Sequence, residues 1–323
     1  MKYKILLKLC AVISAALLLA SCSSDNIKPA SSESADTTAK STSQAQTQAP
    51  ASLDTEPVAV AVDINEIGVV SECVLLVDNT TGKTLIEKNS REKVPVASLT
   101  KLMTALVAEE KAVNSGAEYC FTGDVIDELI SKNAARAGFE AGESVRLCDL
   151  LYAAMLPSGA DGAYGLAMLV GGSIEGFVDM MNEKAAELGM TNTRFYDPVG
   201  LDDSGYSTAY DIEILMRAVL TNSNLREIIS SDSWLTAPTD HHPNGILLKS
   251  TVFNGFSKFG VSNTAIKGGK TGYTQGAGRC LATFAYSGAN EYILVTLGAN
   301  DKEDDTQMSF VDQGNIYSAF FIE

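Results

Sequence analysis

The period of the hydrophobic positions changes twice along the chain, and each change marks a change of element. Cys73–Asp78, CVLLVD, is a short apolar run that predicts a buried strand. NTTGK then supplies a turn and TLIEKN returns, so a hairpin is expected. Beyond Pro95 the period becomes helical: Leu99, Leu102, Met103, Leu106 and Val107 recur at i, i+3, i+4, i+7 and i+8, which starts a helix close to Ser98. Further helical patterns run over residues 150–156, 162–170, 175–188 and 211–220, and two short extended stretches, EYCF and VRLC, come before them. Strand signals return in RCLATFAY (279–286) and YILVTLGA (292–299), joined by the hairpin loop Ser-Gly-Ala-Asn-Glu. Residues 307–321 predict a last helix. Strands at both ends with helices between predict an α+β fold, an antiparallel sheet built from both termini around a helical insertion.

Ahead of this region the pattern is different. Lys2, Lys4 and Lys8 make a basic start, and residues 9–20 are an apolar run too short for a membrane span, which reads as an export signal. The run ends in Leu19-Ala20-Ser21-Cys22, which resembles a bacterial lipobox and implies cleavage before Cys22 with lipid on its sulfur and new amine. The alternative is ordinary signal cleavage nearby, with Cys22 a spare thiol. More than one acyl chain makes a stable anchor, because each buried CH₂ adds about 0.8 kcal/mol. Residues 23–55 are rich in Ser, Thr, Ala and Gln and cannot bury enough apolar surface to fold. The expected organisation is a signal peptide over 1–21, a lipid-anchored disordered tether over 22–60, and a folded domain over 61–323.

Composition narrows the chemistry. Hydrophobic residues make up 46% of the 323 positions, enough for a sizeable core, and the formal net charge of −16 excludes a phosphate backbone as partner. Export permits disulfides. Cys10 leaves with the signal and Cys22 is committed to lipid, so Cys73, Cys120, Cys148 and Cys280 remain, with no zinc spacing among them. Cys120 and Cys148 bracket a polar excursion and are candidates for a bridge, the alternative being two buried thiols; Cys73 and Cys280 lie in apolar strands and are expected in the core. No metal or other cofactor is expected.

Two short motifs carry candidate chemistry. Ser98-Leu99-Thr100-Lys101 places a lysine one helical turn beyond a serine, on the same face. A neutral lysine there can take the hydroxyl proton that a nucleophilic serine must lose, and neutrality requires burial or a second cation nearby. The spacing alone is weak, since Ser90-Arg91-Glu92-Lys93 matches it too, in a polar run expected at the surface. The other reading of the Ser98 copy is a capping serine and a snorkelling lysine. KGGKTGYT, 267–274, ends like a phosphate-binding loop, but Thr264 stands where that loop needs glycine and a strand follows rather than a helix. His241 and His242, adjacent in a loop, suit neither a catalytic triad nor a zinc site and are expected exposed.

VPVASLTKLMTAL resembles the active-serine motif of serine D-alanyl-D-alanine carboxypeptidases, the low-molecular-weight penicillin-binding proteins of the serine β-lactamase-like superfamily, where S-x-x-K is followed by S-x-N and K-T-G elements. LLYAAMLPSGADGAYGLA, FVDMMNEKAAELGMTNTRFYDPVGL, YSTAYDIEILM and IKGGKTGYTQGAGRCLATFA resemble further segments of that family in the same order, from about Val70 to the C-terminus. The resemblance implies a β-lactamase/transpeptidase-like fold, a five-stranded antiparallel sheet flanked by helices beside a helical subdomain, with the site between them. It implies that Ser98 is the nucleophile, Lys101 its general base, and Ser158 a proton relay to the leaving D-alanine. Lys270, Thr271 and Gly272 would bind substrate along a strand edge, with the backbone N–H groups of Ser98 and Tyr273 as the oxyanion hole. The implied partners are peptidoglycan stem peptides ending in D-Ala-D-Ala, β-lactams that mimic them, and, through Cys22, a membrane facing the cell wall.

One departure stands out: the third position of S-x-N is Ala160. Asp161 or water is expected to replace the missing amide, or the site is weakened. Ser131-Lys132-Asn133 matches S-x-N literally but lacks the flanking context. The resemblance also leads to an expected Arg past the last strand; here only Lys302 or Arg279 could serve. Rival readings are a β-lactamase, for which no ExxLN segment is seen, and a penicillin-binding sensor without turnover.

Overall fold

The computed structural model describes residues 64, 66–112, 116–261, 264–301 and 306–321. The export signal, Cys10, Cys22, the proposed tether and Lys302 lie outside the described residues. Strands β1 (Cys73–Asp78) and β2 (Lys83–Lys88) form the expected hairpin. A 3-10 turn over Ala97–Leu99 leads into α1 (Thr100–Lys111). There follow β3 (Glu118–Cys120), α2 (Gly123–Ser131), β4 (Ser144–Arg146), α3 (Leu147–Met155), α4 (Ala160–Gly171), α5 (Ile174–Glu187), α6 (Ala209–Thr221) and α7 (Ser223–Ser230). A small hairpin of β5 (Ser233–Leu235) and β6 (Leu247–Lys249) precedes α8 (Thr251–Lys258). The chain closes with β7 (Ile266–Thr274), β8 (Gly278–Ser287), β9 (Asn290–Ala299) and α9 (Met308–Phe320).

The main sheet has five strands in the order β2-β1-β9-β8-β7, all pairs antiparallel. β1 pairs with β9 from Cys73↔Leu297 to Asp78↔Tyr292, so both ends of the folded region close one sheet, as the strand pattern predicts. Alternation sends side chains of β1 to opposite faces. Cys73, Leu75 and Val77 join a large core with the helices of the insertion, while Val74 and Leu76 join Val252, Phe256, Phe310, Ile316 and Tyr317 of α8 and α9. Cover on both faces explains why CVLLVD is apolar at nearly every position.

α1 is the central helix, buried from Thr100 through Ala108 on all sides rather than along one stripe. It packs against α3, α4, α5 and α6. This enclosure brings Lys101 and Thr104 into the interior with the aliphatic residues.

Several sequence expectations need correction. Ser90, expected at the surface, is buried and donates to Glu87 Oε1 at 2.5 Å, while Arg91, Glu92 and Lys93 are exposed. Cys120 and Cys148 are not bridged; both are exposed free thiols. The β3–β4 register sets Ser144 opposite Cys120 and Arg146 opposite Glu118, so Cys148 lies beyond the far end of the ladder. Cys73 and Cys280 are buried as expected, and burial pushes their thiols up to about 11 and about 12.

Candidate active site

Three segments meet at one cleft: the turn into α1, the α3–α4 connection, and the edge strand β7. The turn is held tightly. Ala97 has a φ of 47°, and Gly200, itself at 81°, presses so close that a Cβ there would fall 2.0 Å from the Ala97 carbonyl oxygen. Only glycine fits that position. Ser98 follows Ala97, and Lys101 lies one helical turn on. Lys101 Nζ donates to Ser98 Oγ at 2.8 Å and to the Val199 carbonyl at 2.9 Å. Lys101 is 1% exposed, and burial lowers its amine to about 7 while the more distant Asp197 and Asp161 carboxylates oppose that shift. The amine is therefore near half neutral at pH 7.

The Val199 carbonyl is aimed by its own turn. The Asp197 carboxylate accepts backbone N–H groups from Val199, Gly200, Leu201 and Asp202 at 2.5, 2.5, 3.0 and 2.7 Å. Thr104 Oγ1 donates to the Pro198 carbonyl at 2.6 Å and ties the turn to α1.

Ser158 sits between α3 and α4 with a φ of 61°, outside the usual backbone range for serine. Its hydroxyl accepts from Lys270 Nζ at 2.8 Å, and the same amine donates to the Thr271 carbonyl at 2.7 Å. Lys270 is fully buried, and burial together with the neighbouring Lys101 amine holds it well below the ordinary lysine range. Thr271 Oγ1 shares a hydrogen with Thr251 Oγ1 at 2.7 Å. At Gly272 β7 nearly touches the serine turn: a Cβ there would lie 3.1 Å from the Ser98 nitrogen and 3.0 Å from the Val96 carbonyl oxygen. Tyr273 is 53% exposed, with the Arg279 guanidinium 3.8 Å above its ring centroid. Ser98, Lys101, Ser158, Thr271, Gly272 and Tyr273 all line a cleft of about 480 Å³, with Lys270 behind it.

Residues 59–301 match the peptidase S11 family, described as D-alanyl-D-alanine carboxypeptidase. The chain belongs to that family. It is 30% identical over 256 residues to the D-alanyl-D-alanine carboxypeptidase DacF of Bacillus subtilis (strain 168), covering 76% of this chain and 62% of that protein. It is 34% identical over 235 residues to DacC of Escherichia coli (strain K12), also named a D-alanyl-D-alanine carboxypeptidase, covering 70% and 56%. The chain thus spans less than two thirds of either relative's length. The crystal structure of the Streptomyces K15 DD-transpeptidase superposes with a TM-score of 0.70 at 28% identity, covering 78% of this chain and 97% of that one. The shared fold is the penicillin-binding, transpeptidase-like one expected from the motifs.

Within this S11 site, the departures have structural answers. Asp161 does not replace the amide missing at Ala160. Its carboxylate accepts N–H groups from Ala137, Gly138, Phe139 and Gly162 at 2.8–3.3 Å, so it fastens the 137–139 loop. The second hydrogen-bond partner of Lys101 is the Val199 carbonyl instead. Asn133, set aside on sequence, lies on the cleft wall beside Ala134 and Ala135. Arg279 is committed elsewhere, pairing bidentately with Asp301 at 2.6–3.0 Å. His241 is exposed as expected, but His242 is half-buried, its Nδ1 2.9 Å from Glu143 Oε1. Sequence reasoning passed over Asp197 and Val199; the Asp-Pro start of DPVGL is a turn signal that marks them.

Proposed function

We propose that this chain is a serine D,D-carboxypeptidase that releases the terminal D-alanine of peptidoglycan stem peptides. The observation that carries the reading is the pair of amine–hydroxyl contacts in one cleft, Lys101–Ser98 and Lys270–Ser158, each at 2.8 Å. In this reading the neutral Lys101 amine takes the Ser98 proton as Oγ attacks the carbonyl between the two D-alanines. The backbone N–H groups of Ser98 and Tyr273 hold the resulting oxyanion. As the C–N bond breaks, the proton passes from Lys101 through Ser158 to the leaving amine, giving D-alanine and an acyl-Ser98 ester. Lys101 then takes a proton from water, which hydrolyses the ester and frees Ser98. Ser158 suits the relay because it already accepts from Lys270, which leaves its own O–H to donate. Thr271 can donate to the substrate carboxylate, whose charge favours the protonated form of Lys270.

Penicillins would acylate the same serine. The test is an assay pair: a reporter penicillin, then a diacyl-D-Ala-D-Ala peptide. A stable adduct and release of D-alanine support the proposal; rapid release of hydrolysed penicillin overturns it in favour of a β-lactamase, and an adduct without peptide turnover in favour of a sensor. The export signal and Cys22 complete the reading as a lipid-anchored protein of the membrane face toward the cell wall. Cys22→Ser is expected to move the protein from the membrane to the soluble fraction; no shift contradicts the anchor.

A further inference from the structure

A carboxypeptidase must recognise a free C-terminal carboxylate, and the cations around this cleft are unequally able to do so. Lys101 and Lys270 are buried, and their amines are taken up by hydrogen bonds to the serine hydroxyls and to the Val199 and Thr271 carbonyls. Arg279 stacks on Tyr273 and is neutralised by its bidentate pair with Asp301. Lys258 remains. It lines the same cleft, is exposed, and among the described residues has no carboxylate partner.

Its position follows from helix geometry. Thr251, Asn254, Gly255 and Lys258 stand at i, i+3, i+4 and i+7 of α8, so one stripe of this helix forms the cleft wall. Thr251 begins the stripe and shares its hydroxyl hydrogen with Thr271. The Lys258 amine lies 5.0 Å from the centroid of the Phe259 ring, which itself lines the cleft, so the charge stands at the cleft wall. The helix is firmly seated: Phe256 and Phe259 pack on Phe310 of α9 at centroid distances of 5.0 and 5.8 Å, and Gly255 lies against the Phe310 ring.

We propose that Lys258 is a specificity-determining residue that binds the terminal carboxylate of the substrate together with Thr271 of the adjoining strand β7. The inference rests on the D,D-carboxypeptidase reading and adds the group that makes the enzyme an exopeptidase. The test compares kcat/KM for a diacyl-D-Ala-D-Ala peptide and for its C-terminal amide, in the full-length wild type and in Lys258→Met, Lys258→Arg and Arg279→Met. The wild type is expected to prefer the free acid. Lys258→Met is expected to lower that preference about tenfold to a hundredfold, the range for a lost charge-assisted contact, and Lys258→Arg to restore most of it. A merely structural role would lower both rates together and leave the ratio intact. An unchanged ratio in Lys258→Met, or a collapse confined to Arg279→Met, overturns the proposal. Failure of the wild type to cleave either peptide would instead overturn the underlying reading.

Discussion

The Lys101 amine donates to the Ser98 hydroxyl at 2.8 Å from a position that is 1% exposed. That contact is useful only when the amine is neutral, and burial sets the balance near pH 7. Acylation should therefore rise with pH through about 7 and level off above it. The rate of adduct formation with a reporter penicillin, followed from pH 5.5 to 8.5 (roughly one and a half units either side of that pKa), checks this. A rate independent of pH would remove Lys101 as the base. Lys101→Met should lower acylation by about 10² to 10⁴.

The same burial has an opposite sign for stability. The folded value of about 7 lies below the ordinary 10.5, so between them the unfolded chain binds more protons and stability rises with pH across that window. Below about 7 the full cost is present, on the order of 5 kcal/mol before the two hydrogen bonds of Lys101 offset part of it. Lys101→Met should thus unfold at no lower temperature than the wild type at pH 6, an advantage that shrinks toward pH 10. Thermal unfolding at both pH values decides it; a much less stable variant at pH 6 would contradict the account.

Gly272 gives β7 its approach to the serine turn. Ala at this position must move one segment by a few tenths of an ångström, since its Cβ would meet the Ser98 nitrogen at 3.1 Å. Misplacement on that scale, a fraction of the roughly 1 Å that can cost a hundredfold, should lower acylation by up to about tenfold while changing Tm little. Parallel measurement of both separates this from general unfolding.

Asp161 should act through the 137–139 loop rather than through Lys101. Asp161→Ala leaves three loop N–H groups and that of Gly162 without their acceptor, at a cost on the order of 3 kcal/mol. The pH midpoint for acylation should change less than in variants at Asp197, whose carboxylate builds the turn that aims Val199 at Lys101. Denaturant unfolding and the pH profile report the two effects.

The sheet, α1 and the serine–lysine spacing were legible because each follows from a local period. CVLLVD and YILVTLGA read as strands and pair in the structure, and the Leu99–Val107 repeat placed Lys101 on the face of Ser98. α7 and α8 escaped because eight residues offer little period, although their caps were present: Asn222 and Ser250 accept from Leu225 and Phe253. The Val199 contact was beyond sequence reasoning because it joins residues 98 positions apart through a backbone carbonyl, which carries no residue signature. Ser90 was misplaced because its neighbours Arg91 and Lys93 are polar, yet they lie over Tyr210 and Tyr206 and the serine turns inward.

The central claim is that Ser98 is the nucleophile of this cleft. The most direct measurement is mass spectrometry of the full-length protein after incubation with penicillin, with the adduct located by peptide mapping. The account predicts one acyl group, on Ser98, absent from Ser98→Ala. An adduct on any other residue, or none at Ser98, would contradict it.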